Sequence, residues 1–382
     1  MSRKILQAMM VTALCAACQS EGTAQAEASG DRPFSVTEIT GFSTPWAMAF
    51  LPGSGVRLTN MALLTEKEGR LWLVDVTNGK RTSVSGVPKV VVAGQGGLGD
   101  VMPHPDFAGN QRVYLSFVEG GPNGTSGAAL GYGTLDLSNA ADPALRDFKV
   151  IWRQEPKVTG DGHFSHRIAF GPDNYLYLTS GERQKMAPAQ EYSGNLGKVL
   201  RLTDEGAPAP GNPFASRGGV AAQFWTMGHR NGLGLQFATD GRLWESEMGP
   251  QGGDEINLIL PGKNYGWPRV SNGSHYGGAD IPDHKPGDGY EAPKVWWTPS
   301  ISPGALLIYN GDKFPQWKGD ALVGALSGEA LIHIDIDGDK ASKAEQWPMN
   351  ARIRAIDEGP DGSVYLLEDG PSGGRLLRLD PK

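Results

Sequence analysis

Short apolar segments separated by turn residues fill the chain from Phe34 onward. A typical unit has an apolar segment, a Pro-Asp or Asp-Gly turn, and a second segment such as L-Y-L-T. Apolar runs this short, bounded by Gly, Pro, Asn or Asp, predict β-strands. Almost no stretch repeats its apolar residues at the helical period for long enough to form a substantial helix. The pattern therefore predicts an all-β protein.

The strand pairs form an internal repeat of six units, each of roughly fifty to seventy residues, which is a spacing typical of propeller blades. The units are centred on residues 48–74, 101–116, 168–179, 235–244, 305–325 and 356–367. Blades arranged around an axis leave only short sheet edges unpaired. We predict a six-bladed β-propeller of four-stranded antiparallel blades over residues 32–382. Two β-sandwich domains are the alternative.

The composition supports a globular, turn-rich chain and excludes some partners. The 382 residues include Gly 54 and Pro 27, without the short period that marks collagen. The formal net charge is -7, and there are no basic clusters, so we expect no nucleic-acid partner.

The N-terminus has the features of an export signal. Arg3 and Lys4 precede an apolar run, Ile5 to Ala17, that is too short for a lasting membrane span. Release after Ala26 or lipidation at Cys18 would follow, with a tether to about residue 31. We expect a periplasmic or otherwise exported protein, in contact with the membrane only if Cys18 carries a lipid anchor. Both cysteines lie in this segment, so the folded part has no disulfide and no thiolate site.

The segment from Gly228 to Pro268 has the highest density of candidate chemistry. It contains G-H-R-N, then G-P-Q-G-G-D-E-I-N, then N-Y-G-W-P. The Gly-rich turns allow backbone carbonyls to converge, and carbonyl and carboxylate oxygens are the ligands that calcium prefers. Arg230 lies just upstream as a fixed cation.

Other candidates lie immediately before or within first strands of the repeat. His163 precedes the strand at Ile168 and has the near-neutral pKa of a general base. His166 competes for that role, and a turn histidine bonded to a carbonyl is the structural alternative. Gln95 lies in a glycine-rich turn. Arg352 and Arg354 alternate on one strand and suggest an anionic ligand with carboxylates. Trp297 begins another predicted blade and could stack on a planar ring.

These segments together resemble the soluble pyrroloquinoline-quinone-dependent sugar dehydrogenases, and in pattern the bacterial aldose sugar dehydrogenases most of all. The resemblance covers about residues 35–380. It is carried by P-W-x-M-A-F at 45–50, G-Q-G-G at 94–97, H-P-D-F at 104–107, G-H-F at 162–164, G-H-R-N at 228–231, G-P-x-G-G-D-E-I-N at 249–257, N-Y-G-W-P at 264–268 and R-I-R at 352–354.

The resemblance implies a six-bladed propeller that oxidises aldoses at the anomeric carbon to lactones, with pyrroloquinoline quinone (PQQ) and Ca²⁺ as cofactors. It implies that His163 is the base and that Arg230 stabilises charge on the quinone. The residues implied to hold the quinone are Gln95, Asn231, Arg352 and Arg354. The backbone oxygens of Gly249 and Pro250 would hold one calcium. Glu255 and the Tyr265 carbonyl would hold a second, structural calcium.

Three positions bear on how closely the chain follows that family. Glu182 agrees with the aldose subgroup. Ser327 stands where relatives often have a cofactor-binding lysine, and Arg183 or Lys185 could take over its task. His166 occupies a position that is usually glycine and could narrow the site. The alternatives are a calcium-dependent lactonase-type hydrolase and a non-catalytic propeller that binds carbohydrate or protein. The sequence has no C-x-x-C-H haem-attachment motif and identifies neither the electron acceptor nor the particular sugar.

Overall fold

Six four-stranded antiparallel sheets form the molecule, as predicted. The structure is a computed structural model, and it describes residues 31–53 and 58–382. The predicted export signal, including Cys18, and nearly all of the tether lie outside the described residues.

Strand β1 (Phe34–Phe42) comes first in the chain but belongs to the last sheet. The first blade contains β2 (Pro45–Phe50), β3 (Met61–Glu66), β4 (Arg70–Asp75) and β5 (Lys80–Val84). The second contains β6 (Leu98–Pro103), β7 (Arg112–Gly120), β8 (Ser126–Asp136) and β9 (Ala144–Arg153). The third contains β10 (Ser165–Phe170), β11 (Leu176–Ser180), β12 (Lys198–Leu202) and β13 (Phe224–Met227).

The fourth blade is interrupted by a small accessory hairpin. Its strands are β14 (Gly232–Phe237), β15 (Leu243–Glu247), β17 (Asp254–Ile259) and β19 (Val295–Trp297), and the hairpin pairs β16 (Gln251–Gly252) with β18 (Gly273–Ser274). The fifth blade contains β20 (Pro303–Ile308), β21 (Ala321–Ala325), β22 (Ala330–Asp337) and β23 (Lys340–Pro348). The sixth combines β24 (Arg352–Glu358), β25 (Val364–Asp369) and β26 (Gly374–Pro381) with β1.

Helical structure is confined to short turns within the described residues. There is one α-helical turn, α1 (Phe107–Asn110), and there are 3₁₀ turns at Pro122–Gly124, Ala187–Gln190, Ala215–Arg217, Gly219–Gln223 and Pro315–Trp317. In the part of the chain that is described, no helix has the length and hydropathy needed to span a membrane.

The first strands of the blades form a closed ring. Contacts run from β2 to β6, β10, β14, β20 and β24, and back to β2. The ring is secured because β1 pairs along its length with β26, which joins the start of the chain to its end. Each junction between neighbouring blades buries an apolar cluster of its own. The core is therefore distributed around the axis, which leaves the axis itself free to hold polar groups.

Every one of these inner strands shifts register close to its first residue. The shifts fall at Pro45/Ala47, Leu98/Val101, Ser165/Ile168, Gly232/Gly234, Pro303/Ala305 and Ile353/Ala355. A register shift of this kind bends a strand and redirects its side chains, and it is common beside active sites. We call the end of the axis at these first residues the starting mouth, and the opposite end the ending mouth.

Two details of the predicted repeat were wrong. In the first predicted unit, Leu71–Val74 was paired directly with the segment at Met48, but it belongs to the third strand of the blade, because Met61–Glu66 intervenes as the second. Trp297 ends the fourth strand of the fourth blade and does not begin a new blade. An apolar segment of strand length does not by itself reveal its distance from the axis.

Candidate active site

A cavity of about 430 Å³ opens at the starting mouth. All six blades or their connecting loops contribute to its wall, which explains why residues far apart in sequence meet there. The lining residues are Trp46, Lys67, Gly94, Gln95, Phe164, Ser165, His166, Asn231, Leu233, Met248, Tyr276, Ser302, Leu326, Arg352, Arg354 and Asp369. Four of the predicted cofactor-binding residues, Gln95, Asn231, Arg352 and Arg354, are thus brought together. We refer to this space as the main cavity.

The main cavity carries a net positive charge. Three cations line it, and one carboxylate, that of Asp369, is shared by two of them. Arg354 binds Asp369 through Nη2 at 2.5 Å, and Arg352 Nη2 lies 3.6 Å from the same carboxylate. Lys67 donates to the carbonyl of Gly94 at 2.7 Å. An excess of cations over anions in a polar cavity favours an anionic ligand, and guanidinium groups bind carboxylates in a bidentate manner.

His163 is buried beside this cavity and is held by two hydrogen bonds. Its backbone N–H donates to Gln95 Oε1 at 2.7 Å, and its Nδ1 lies 2.5 Å from Glu182 Oε1. Because a carboxylate accepts hydrogen bonds, Nδ1 carries the proton and Nε2 keeps its lone pair. Burial lowers the pKa of His163, Glu182 opposes that shift, and the charge of Arg230 reinforces it. The imidazole is therefore neutral and able to accept a proton at Nε2.

Glu182 also organises the loop that follows it. Its carboxylate accepts the backbone N–H groups of Gln184, at 3.0 Å, and Met186. Glu182 is fully buried. The same carboxylate therefore orients the histidine and fixes the loop that covers it.

Arg230 lies between the main cavity and a second, much smaller one. Its Nη2 donates to the Tyr276 hydroxyl at 3.1 Å, and its Nη1 donates to the Met248 carbonyl at 3.0 Å. Both of these partners line the main cavity. The small cavity, of about 10 Å³, is lined by Arg230, Gly249, Glu255 and Tyr265 among others. A space of this size holds one water molecule or one ion.

The walls behind the small cavity contain an unusual concentration of buried acids. Glu245 and Glu247 alternate on β15, and Glu255 on β17 lies directly opposite Glu247. His229 lies 3.0 Å from both Glu245 and Glu247, and although burial disfavours its charged form, these carboxylates raise the pKa of His229 to about 10. Burial, followed by the charge of Glu247, raises the pKa of Glu255. Glu245 Oε2 faces His229, whereas Glu245 Oε1 has no hydrogen-bond partner among the described residues. This oxygen-rich pocket suits a hard cation.

The Gly249–Pro250 turn is fixed from below by Asp254. That buried carboxylate accepts the Gly249 N–H at 2.8 Å, the Ser300 hydroxyl at 2.5 Å and the Ile301 and Ser302 N–H groups at 2.7 Å each. A Cβ at Gly249 would come within 2.2 Å of the Gly253 carbonyl oxygen, so only glycine fits there. Asp254 is thus committed to shaping the turn, whose Pro250 lines an adjoining groove with Ser327.

Two predicted cofactor-binding residues lie elsewhere. Arg183 is fully buried, and its guanidinium donates to the carbonyls of Gly162, at 3.0 Å, Ser126, at 2.5 Å, and Gly160. It supports the His163 loop, since both Nη atoms and Nε donate to residues of the protein. Trp297 packs in the core between the fourth and fifth blades. Neither Arg183 nor Trp297 lines the main cavity, and Arg183 is not in the groove that contains Ser327.

Several lining residues were not predicted from the sequence. Lys67 directly follows β3, and Asp369 is the last residue of β25. Charged residues are common at such turn positions, so only the closed ring of blades shows that these two side chains line the same cavity. Trp46 lies in a quoted motif, but nothing in the motif distinguished it from a core aromatic. Tyr276 is 73% exposed, and only its contact with Arg230 connects it to the cavity.

Comparisons with known proteins agree with this geometry. The family model of the Glucose / Sorbosone dehydrogenases matches residues 42–378. The Escherichia coli aldose sugar dehydrogenase YliI is 39% identical over 346 residues, which cover 88% of this chain and 90% of that protein. The structure of the apo-form of the soluble E. coli aldose sugar dehydrogenase aligns with a TM-score of 0.85 at 38% identity, over 91% of this chain and all of that one.

A ligand-bound relative is also similar. The PQQ-bound form of the aldose sugar dehydrogenase from Streptomyces coelicolor aligns with a TM-score of 0.74 at 27% identity, over 94% of this chain and 100% of that chain. The matches span nearly the whole propeller, including every strand that contributes to the main cavity. The chain belongs to the Glucose / Sorbosone dehydrogenase family.

Proposed function

We propose that the chain oxidises aldose sugars at the anomeric carbon to lactones, using PQQ and Ca²⁺. The observation that carries this proposal is the main cavity, where Lys67, Arg352 and Arg354 face one shared carboxylate beside a neutral buried histidine. A cavity of about 430 Å³ lies within the range of small-molecule sites. A flat acid with several carboxylates fits its charge, and the PQQ-bound relative supports the same choice.

The cofactor would be held by residues that the cavity already orders. Arg352 and Arg354 would bind its carboxylates, with Gln95 and Asn231 supplying amide groups. Arg230 is fixed by its two hydrogen bonds and presents a cation at the junction with the small cavity. When bound, the quinone supplies the hydride acceptor, which protein side chains cannot provide.

The contribution of the protein to the chemistry is positioning and proton transfer. His163 Nε2 would take the proton of the anomeric hydroxyl as the hydride leaves the same carbon. Glu182 keeps Nδ1 protonated, so the lone pair stays on the correct nitrogen, and it stabilises the imidazolium that forms. Burial keeps the imidazole neutral before reaction. Proton transfer of this type contributes a rate factor of ~10²–10⁴.

Calcium fits two places in the same region. Glu255 and the Tyr265 segment line the small cavity and suit a structural ion, and the free Oε1 of Glu245 lies in the wall behind them. The rigid Gly249–Pro250 turn would provide the backbone oxygens for an ion next to the cofactor, where a divalent cation can polarise a carbonyl.

A reconstitution assay tests the function. The purified chain is mixed with Ca²⁺ and PQQ, then with an aldose and an artificial redox dye. We expect reduction of the dye to require Ca²⁺, PQQ and the aldose, and we expect the aldose to be converted to its lactone. Lactone hydrolysis without dye reduction would instead support a hydrolase, and quinone-independent sugar binding would support a non-catalytic propeller.

The structural calcium has a separate test. A ligand that binds only the folded state stabilises it by ~2.7 kcal/mol at a hundredfold excess over its Kd. We expect a chelator to lower the Tm of the apo-protein by several degrees, and Glu255→Ala to lower it similarly and to abolish the effect of the chelator. An identical Tm with and without chelator would contradict this site.

A further inference from the structure

His166 lies at the inner wall of the main cavity and has no part in the mechanism described above. It is only 1% exposed, yet it lines the cavity. Its ring stacks on Trp46, with centroids 5.0 Å apart and planes inclined by 15°. On another side, a Cβ at Gly99 would come within 1.9 Å of its Cε1. The imidazole is therefore tightly packed and has one orientation.

A hydrogen-bond relay fixes the tautomer of His166. Ser116 Oγ accepts the backbone N–H of Asp100 at 2.8 Å and lies 2.8 Å from His166 Nδ1. Ser116 is fully buried, so its own proton needs an acceptor, and Nδ1 is the acceptor within reach. Nδ1 is therefore unprotonated, and the ring proton is on Nε2. Burial, reinforced by the charge of Arg167, lowers the pKa of His166 to about 3, so the ring stays neutral.

The Nε2–H group makes no hydrogen bond to any other residue among residues 31–53 and 58–382, and the ring lies at the wall of the main cavity. A buried donor without a partner costs free energy, and such groups persist where a ligand satisfies them.

The backbone supports a functional reading of this segment. His163, Ser165 and His166 have φ values of 50°, 57° and 60°. Non-glycine residues in this left-handed region are strained and cluster at functional sites. The run leads into the register shift at the start of β10, and His166 lies within that shift.

We propose that His166 is a cofactor-binding residue whose Nε2–H donates a hydrogen bond to an oxygen of the quinone in the main cavity. The inference rests on the proposed function, since it assumes that the quinone occupies this cavity. A permanently neutral donor can stabilise a carbonyl or carboxylate oxygen without exchanging a proton with it, so His166 complements His163, which must accept one.

Quinone binding distinguishes this role from simple packing. PQQ is titrated, in the presence of Ca²⁺, into the unmutated chain and into His166→Phe, His166→Gln and His104→Phe. The phenylalanine at 166 keeps a flat ring against Trp46 but has no donor, whereas glutamine keeps an N–H. His104→Phe makes the same chemical change at the ending mouth.

We expect His166→Phe to weaken PQQ binding roughly tenfold, which corresponds to the loss of one hydrogen bond. His166→Gln should stay within about threefold of the unmutated chain, and His104→Phe should leave the Kd unchanged. Equal PQQ affinity of His166→Phe and the unmutated chain would overturn the proposal. If the unmutated chain binds no PQQ, the proposed function itself fails.

A spectroscopic measurement removes the dependence on mutants. In a ¹⁵N-histidine-labelled sample, the His166 signals should show a protonated Nε2 and a bare Nδ1 throughout pH 5–8, and PQQ should shift the Nε2 resonance. A protonated Nδ1, or an Nε2 resonance insensitive to PQQ, would contradict the assigned donor.

Discussion

The two mouths of the propeller axis use the same six strands for different purposes. At the ending mouth, which opens into a cavity of about 510 Å³, polar side chains bind the backbone of the neighbouring blade. Gln236 Oε1 accepts the Ile308 N–H at 2.8 Å, and Asp357 Oδ2 accepts the Phe50 N–H at 3.2 Å. These groups hold blades together and leave few free donors for a ligand.

At the starting mouth the balance is reversed. Register shifts turn side chains into the main cavity, which three cations line with a single carboxylate, that of Asp369, and which the ring of His166 also lines. The larger cavity is therefore the structural one, and the smaller cavity carries the chemistry. The comparison shows that polar groups without partners, and like charges held close together, identify a ligand-binding site better than the volume of a cavity does. Such groups do not stabilise the fold, so the need to stay folded does not explain their presence.

Removal of the proposed base is expected to have the largest effect on turnover. His163→Ala should lower kcat by ~10²–10⁴ while PQQ binding is retained. Gln236→Ala serves as the control at the ending mouth, and it should lose ~1 kcal/mol of stability with kcat unchanged. Steady-state dye reduction and thermal melts measure both variants. If His163→Ala kept full turnover, the catalytic assignment of the starting mouth would be wrong.

The middle of the axis, between the two mouths, is where we expect a substitution to lower the free energy of unfolding most. Arg167 donates to Asp100 at 3.2 Å and to the carbonyls of Leu233 at 2.6 Å and Gly304 at 2.9 Å, and so ties β10 to three other inner strands. Arg167→Met leaves the buried Asp100 without its counter-charge and should cost ~3–5 kcal/mol in the free energy of unfolding. Urea melts measure the loss, and the double variant Arg167→Met, Asp100→Asn should recover part of it. A melt indistinguishable from that of the unmutated chain would refute this role.

The charge of the main cavity should determine cofactor affinity. Arg352 is half-exposed and shares Asp369 with Arg354, so its removal should leave the fold intact. Arg352→Gln should weaken PQQ binding by roughly 10- to 100-fold, the range for a lost hydrogen bond to a charged group. Lys89→Gln, an exposed change outside the cavity lining, is the control. Equal Kd values for both variants would show that the cations do not bind the ligand.

The pH dependence of catalysis gives the smallest but most specific effect. Because burial lowers the pKa of His163, its neutral form persists below the ordinary value of 6.5, and the acid limb of kcat/KM should lie below that pH. Glu182 raises this pKa, so Glu182→Gln should move the limb further toward acid while kcat falls. A limb that moved toward neutral pH would show that another group is the base.

The fold was predictable because local patterns repeat. Segments such as Ile168–Phe170 combine an apolar run with a Pro-Asp turn, and all six inner strands appear close to their predicted positions. The pairing of β1 with β26 joins distant parts of the chain and has no local pattern of its own. The sequence also does not show whether a strand is the first or the fourth of its blade, which is why Trp297 was placed at the start of a blade.

The residues of the site were predictable only where the amino-acid type itself indicates the chemistry. Arg352 and Arg354 reach the main cavity as their alternation suggested. From the sequence, Arg183 is as good a candidate as Arg352 and Arg354. In the structure its guanidinium donates to carbonyls of residues that are distant in sequence, Ser126 and Gly160 among them. The same limit applies to His166, because its tautomer depends on Ser116, fifty positions away in the chain.

A crystal of the chain soaked with PQQ and Ca²⁺ tests the placement of the cofactor most directly. We predict quinone density in the main cavity at the starting mouth, with its carboxylates on Arg352 and Arg354 and an oxygen on His166 Nε2. Quinone density at the ending mouth, or none in a crystal whose starting mouth is open to solvent, would contradict that placement.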